Sequence, residues 1–297
     1  MIKGKDILIG VIISGMVLML LVLVIIMISG ITRQTGIPLA SSGGRVAIVD
    51  IKGIIDDSES IISLLKKYEK DSSIKAIVLR VDSPGGGVAP SQEIYGQLLK
   101  MKEKGIPLIV SMSSVAASGG YYISCAADTI IANPGTLTGS IGVLMQFLTV
   151  QGLMQKIGVN LEVVKAGELK DVGNFSRQMT EKERAMLQAA ITDVHNQFIE
   201  TVSESRNIDI EQVEELADGS IFTGNQALEL GLVDKLGGLE DAVSIAGNMA
   251  GLGDKPRTTR EYPRRQRLID YLTEKAMSLL GIDGIIKPWP EIKYLYR

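Results

Sequence analysis

Ile74-Lys75-Ala76-Ile77-Val78-Leu79-Arg80-Val81, followed at once by Asp82-Ser83-Pro84-Gly85-Gly86-Gly87, is the stretch that decides how this chain folds. Its first eight residues form a near-continuous apolar run with four β-branched side chains, which predicts a buried strand. The Pro-Gly segment breaks that strand, and Ser91–Lys104 then has helical spacing. The same alternation runs outward in both directions. Arg45–Ile51 is a short β-rich run, and Ser58–Glu69 places Ile61, Ile62, Leu64, Leu65 and Tyr68 at helical intervals. Downstream, Pro107–Met112 predicts a strand, Ala117–Ala127 a helix, and Thr129–Ala132 and Leu161–Val164 two more strands. Buried strands alternating with helices predict an α/β domain with a mostly parallel sheet. Thr180–Arg206 is the clearest helix. Thr180-x-x-Glu183 is a capping box, and Leu187, Ile191, Val194, Phe198 and Val202 form one apolar stripe.

Outside this pattern lie two segments of different character. Ile7–Ile28 runs 22 residues without a charge, long enough for the ~20 residues that cross a bilayer core as a helix. It is longer than the apolar core of a cleaved signal peptide, and no small-residue cleavage site follows it. It reads as an uncleaved anchor, with residues 1–6 before it and a Gly/Ser/Pro-containing linker, residues 29–44, after it. Lys3 and Lys5 before the span place the short N-terminus in the cytoplasm and the domain, residues 45–250, on the outer side of the cell membrane. Residues 251–297 form a basic tail that ends in Pro288-Trp289-Pro290 and Tyr294-Leu295-Tyr296-Arg297. Two prolines around the tryptophan exclude an ordinary helix there. An extended strand on a neighbouring subunit, or a position near the membrane, fits that sequence.

Composition removes several classes of function. The single Cys125 forbids an intramolecular disulfide. A net charge of −3 with both signs interspersed gives no footprint for nucleic acid. One histidine and one cysteine offer no metal cluster, and no cofactor motif is present. The chemistry left in view is nucleophilic.

Three segments bear on that chemistry. Ser118, in Ala116-Ala117-Ser118-Gly119-Gly120-Tyr121-Tyr122, opens a predicted helix after a strand. It reads equally as a helix cap or as a nucleophile with the Gly119 N–H beside the attacked carbonyl. A serine hydroxyl needs a base. His195 is the one histidine, and it lies within the long helix, where a structural or surface role is expected. Lys170, in Ala166-Gly167-Glu168-Leu169-Lys170-Asp171-Val172-Gly173, is the alternative; a neutral lysine can serve as a base, though a loop lysine is more often merely solvated. Asp82-Ser83-Pro84-Gly85-Gly86-Gly87 reads either as a Pro-Gly turn between strand and helix or as glycines that let backbone N–H groups approach an oxyanion. Cys125 reads as a small buried hydrophobe, and Tyr121 and Tyr122 as packing residues near the site.

Taken in order, these segments resemble the signal peptide peptidase SppA family, the short form of peptidase family S49. The resemblance runs from about Ile48 to Ala246. It includes Leu137-Thr138-Gly139-Ser140-Ile141-Gly142-Val143, Lys165–Asp171, Ser176-Arg177-Gln178-Met179-Thr180, Thr223-Gly224-x-x-Ala227 and Gly231-Leu232-Val233-Asp234. It implies a ClpP/crotonase-like fold of repeated ββα units, with Ser118 as nucleophile and Lys170 as general base and acid. It also implies Ser140 as the hydroxyl that orients the lysine, and the N–H groups of Gly86 and Gly119 as the oxyanion hole. The substrates implied are remnant signal peptides and other hydrophobic, membrane-proximal peptides, cut by a homo-oligomer whose subunits can share sites. Asp82, where asparagine is common, and Leu169 are small departures. Three rival functions stand beside this one: a membrane Ser-Lys protease partnered with stomatin-like proteins, an acyl-CoA-handling crotonase that would be indifferent to Ser118→Ala, and a non-catalytic scaffold that keeps the oligomer without the chemistry, against which the intact Ser118, Ser140 and Lys170 argue.

Overall fold

The apolar run Ile74–Val81 belongs to a central strand. β1 (Arg45–Lys52) and β2 (Ile74–Ser83) pair in parallel, from Val46 opposite Ala76 to Lys52 opposite Asp82. On its other side β2 pairs in parallel with β4 (Leu108–Ala117). This computed structural model describes residues 43–261, the strand Lys293–Leu295 and Met19. The expected anchor Ile7–Ile28 lies outside the described residues apart from Met19, and no helix among the described residues is long and apolar enough to cross a membrane. The elements below all belong to one unit, Gly44–Arg297.

The crossovers between these strands are helical: α1 (Glu59–Lys70) follows β1, and α2 (Val88–Glu103) follows β2 and the three-residue strand β3 (Gly85–Gly87). α1 turns Ile61, Leu64, Leu65 and Tyr68 inward, as the helical spacing predicts. After β4 come α3 (Gly119–Ser124), β5 (Thr129–Ala132), β6 (Leu137–Gly139), α4 (Gln151–Ile157) and the 26-residue α5 (Glu181–Arg206). The chain then adds α6 (Ile210–Leu216), β7 (Ile221–Thr223), α7 (Gly224–Glu229), β8 (Lys235–Leu236), α8 (Leu239–Met249) and β9 (Arg257–Arg260). The sheet path is β7-β6-β4-β2-β1-β9, with β5 on β4 and β8 on β5. Only the β6–β7 pair in it is antiparallel, so the mostly parallel sheet expected from the sequence is present.

One strand serves two neighbours. The first half of β4 pairs with β5 (Ile109 opposite Thr129) and the end pairs with β6 (Ala117 opposite Gly139). Between the halves the register against β2 slips, between Val81 and Ser83. A bulge of this kind bends the strand and re-aims its end. The sheet buries two apolar layers. The larger holds Leu79, Val81, Ile94, Leu98, Met112, Tyr121 and Phe198, and the smaller packs Val46, Ile48, Val78 and Ile109 against Ala242, Val243 and Ala246 of α8.

Three expectations need correction. Leu161–Val164 is not a strand: Val164 is fully exposed and no strand among the described residues offers it a ladder, without which β propensity alone does not hold an extended segment. The sheet continues past residue 250, because β9 adds to the edge of β1 and Arg260 places two guanidinium hydrogen bonds on the buried Asp50 (2.6 and 2.7 Å). Burial alone would raise the Asp50 carboxyl, but Arg260 and Lys52 hold it below its ordinary value. Of the α5 stripe, Phe198 and Val202 are buried and Val194 partly so, whereas the first half of the helix is largely exposed. The capping box at Thr180 and Glu183 is formed as read.

Candidate active site

The carboxyl ends of the parallel strands converge on two serines. Ser118 follows β4 and Ser140 follows β6, each one residue beyond the aligned pair Ala117 and Gly139, so the two stand side by side. Both have positive φ, 53° at Ser118 and 52° at Ser140. Side chains rarely adopt that region, and such strain gathers at functional sites. Neighbouring hydrogen bonds hold it in place: Ser118 N donates to Gly139 O (2.8 Å), Tyr122 N to Ser118 O (2.8 Å), and Ser140 N to Ser220 O (2.7 Å). Ser118 is 1% exposed, and its Oγ is buried without a hydrogen-bond partner among the described residues. A buried hydroxyl left unpaired costs about 1–3 kcal/mol. A helix cap would have used it, and no side-chain cap bond is made at α3.

The glycine segment is a strand rather than a free turn. Ile55 N donates to Gly85 O (2.9 Å) and Gly87 N to Ile55 O (2.7 Å), so these groups of β3 face Ile55. Because successive residues of a strand point their polar groups to opposite sides, the Gly86 N–H faces the other edge. A side chain at Gly86 would put its Cβ 2.0 Å from Ile55 O, which only glycine avoids, and Gly85 has φ 105°. Buried Ser83 braces the segment, its Oγ donating to Gly53 O (2.6 Å) and accepting from Gly85 N (3.1 Å). Gly119 opens α3, and first-turn N–H groups have no partner within a helix. A strand of the tail, β10 (Lys293–Leu295), runs antiparallel along β3 of its own chain, Tyr294 opposite Gly86.

Lys170 stands in different surroundings. It is exposed, in a run of turns with no strand or helix, and Leu148, Leu153, Ile157, Leu161, Val163, Val164 and Phe175 are exposed around it in sequence. No hydrogen bond joins it to Ser118 within the chain. Behind it the Asp171 carboxylate accepts from Lys165 Nζ and from Arg177 (NH2 2.8 Å, Nε 3.2 Å). Arg177 holds this carboxyl well below its usual range, with Lys165 adding to the effect.

Of the remaining candidates, Tyr121 is fully buried and donates from its hydroxyl to Leu232 O (2.9 Å), while Tyr122 packs its ring between Tyr95 and Phe198. Burial pushes the Cys125 thiol up to about 11, which suits an inert packing residue. His195 lies on α5, away from the serines in sequence, with Nε2 buried and without a hydrogen-bond partner among the described residues.

A family profile described as Peptidase family S49 matches residues 100–253, slightly more than half of the chain. The chain belongs to peptidase family S49. A second profile, described as Clp protease, matches residues 34–136 and so takes in the β3 glycines and Ser118. The Synechocystis sp. protein slr0021, which carries a protease name, is 44% identical over 214 residues, 71% of this chain and 76% of that protein. The Enterococcus faecium protein named for signal peptide peptidase SppA is 37% identical over 226 residues, 72% of this chain and 65% of that protein. The chloroplastic serine protease SPPA of Arabidopsis thaliana is 32% identical over 277 residues, 87% of this chain and 40% of that protein. Among solved structures, a membrane-bound stomatin-specific protease (1510-N, a serine-to-alanine variant) superposes with a TM-score of 0.51 at 18% identity. It covers 74% of this chain and 99% of its own. That likeness, with the Clp protease match, supports a ClpP/crotonase-like fold, and family S49 makes the protein a serine-type, SppA-like protease.

The sequence did not point to the Ile55 carbonyl that seats Gly86, nor to the Ser220 carbonyl that holds Ser140. Neither residue type carries a signal, since both act through backbone. Arg177 was part of a quoted motif, but no role could be assigned before its partners were known.

Proposed function

We propose that the protein is a membrane-anchored serine endopeptidase in which Ser118 is the nucleophile and Lys170 the general base and acid. The observation that carries this reading is the buried, unpartnered Ser118 Oγ on a strained strand-to-helix turn. Ser118 Oγ attacks the peptide carbonyl carbon and its proton passes to Lys170 Nζ, which Ser140 orients. The tetrahedral oxyanion accepts from the Gly86 and Gly119 N–H groups, donors worth ~3–4 kcal/mol each in comparable sites. Collapse breaks the C–N bond, and the ammonium of Lys170 returns the proton to the leaving nitrogen. Water then attacks the acyl-enzyme with Lys170 again as base, restoring Ser118.

The strand Lys293–Leu295 on Gly85–Gly87 supports a peptide docking antiparallel along the same edge, with its carbonyl at Gly86. An exposed Lys170 among exposed apolar side chains supports a site completed by a second copy, each subunit lending its lysine to a neighbour. The uncharged run 7–28 supports an anchor with the domain on the extracytoplasmic side, and the strand-helix successions of residues 45–132 support the repeated ββα units. Remnant signal peptides and other hydrophobic, membrane-proximal peptides are the substrates of this reading.

The test uses the full chain in detergent, as wild type and as Lys170→Ala, with a hydrophobic peptide and a serine-directed fluorophosphonate. Cleavage with label on Ser118, both lost in the variant, is expected, as is activity that rises between pH 6 and 9. A Lys170→Ala variant that still cleaves, or label on another serine, overturns the reading.

A further inference from the structure

The segment that carries Lys170 is a run of turns closed by short-range backbone hydrogen bonds (Lys170 N to Gly167 O, 3.2 Å; Val172 N to Leu169 O, 3.3 Å), and side chains tie these turns to α5. Arg177 is the hub. Its guanidinium places Nε and NH2 on the Asp171 carboxylate, and NH1 (2.8 Å) and NH2 on the Glu183 carboxylate. NH2 also reaches the Asp171 backbone carbonyl (3.4 Å). Asp171 is the residue beside Lys170. Glu183 is buried, and it is the third residue of α5, where its carboxylate also accepts from Thr180 N (2.8 Å) to close the capping box.

We propose that Arg177 is a positioning residue for catalysis: by bridging Asp171 to the capped start of α5 it fixes the loop from which Lys170 projects. The inference rests on Lys170 being the base. An isolated surface ion pair, such as Lys182 with Glu168, contributes little. Arg177 differs in geometry, because a planar fork engaging two carboxylates at once sets direction as well as distance, which a lysine ammonium does not. Both carboxyls are held low by it, Glu183 down to about 2. Charge is the second consequence. Lys165, Arg177 and Lys182 face Asp171, Glu168 and Glu183 around Lys170, so each cation has a carboxylate partner. Removing Arg177 leaves Asp171 with Lys165 alone, and the surplus negative charge beside Lys170 favours its ammonium form.

The experiment compares full-length wild type, Arg177→Gln, Arg177→Lys, Asp171→Asn and Lys170→Ala in detergent, reading kcat and KM on one hydrophobic peptide from pH 6 to 10. Subunit assembly is followed by light scattering. Arg177→Gln should lose about 100-fold in kcat with KM nearly unchanged, the scale of a displaced catalytic group. Its acid limb should move to higher pH, and Arg177→Lys should restore charge but only part of kcat. If Arg177→Gln does not assemble, Asp171→Asn decides, because it cuts the loop side of the bridge and leaves Arg177 on Glu183. Wild-type kcat and pH profile in whichever variant assembles, with Lys170→Ala inactive, overturns the positioning role alone. An active Lys170→Ala variant overturns the base assignment instead.

Discussion

The two halves of the proposed dyad sit in opposite kinds of structure. Ser118 ends a strand paired on both sides, is 1% exposed, and has its positive φ held by backbone hydrogen bonds to Gly139 and Tyr122. Lys170 lies in exposed turns closed only by short-range backbone hydrogen bonds such as Lys170 N to Gly167 O, and tied to α5 by side-chain ion pairs from Asp171 through Arg177 to Glu183. The proposed nucleophile is therefore preorganised by the fold, which has absorbed the cost of its strain in the core. The proposed base is tied down by a local bridge, among apolar residues that the chain itself leaves exposed. In the proposed reading, such a division would make chemistry conditional on assembly while leaving the serine ready in each subunit.

The largest test of this contrast is complementation. Ser118→Ala and Lys170→Ala are each expected to abolish cleavage; co-refolded one to one, they should regain it, with about a quarter of sites intact if subunits mix at random. No recovery in a mixed oligomer would place both groups in one chain and remove the contrast. Next comes Gly86→Ala, which drives a Cβ against the Ile55 carbonyl on the rigid side of the site. A loss of about 100- to 1,000-fold in fluorophosphonate labelling and cleavage is expected. An unchanged labelling rate would show that β3 does not supply an oxyanion donor.

The smallest effect separates the two regions by acid. Asp171 and Glu183 have carboxyls held below their ordinary values of 3.8 and 4.5, so their bridge stabilises the Lys170 segment fully above that range. The contribution falls away as pH drops through about 2, where Glu183 protonates in place. Hydrogen exchange in residues 167–174, corrected for intrinsic rate, should therefore gain relative to β4 and α3 between about pH 4.5 and 2. Equal protection in both regions across that window would mean that the ion pairs do not hold the segment.

Much of the scaffold was legible beforehand for a local reason. A buried parallel strand such as Ile77–Val81 needs apolar side chains on both faces, and the Thr180–Glu183 capping box is complete within four residues. The candidate residues Ser118, Ser140, Lys170, Gly86 and Gly119 were legible as motifs in order, since each lies in a segment whose small residues restrict what can replace it. Leu161–Val164 was misread because its β-branched side chains describe a propensity, while a strand requires a partner that the sequence does not name.

The sequence by itself determined the alternation of strand and helix, the family, and which residue types could carry the chemistry. These follow from hydrophobic period and local backbone limits, which act over a few residues. Only the tertiary structure decided that Ser118 and Ser140 end adjacent strands, that the Ile55 carbonyl admits only glycine at position 86, and that Arg177 joins Asp171 to Glu183. Each of those depends on register, or on contacts between segments that are brought together only when the sheet and its loops close.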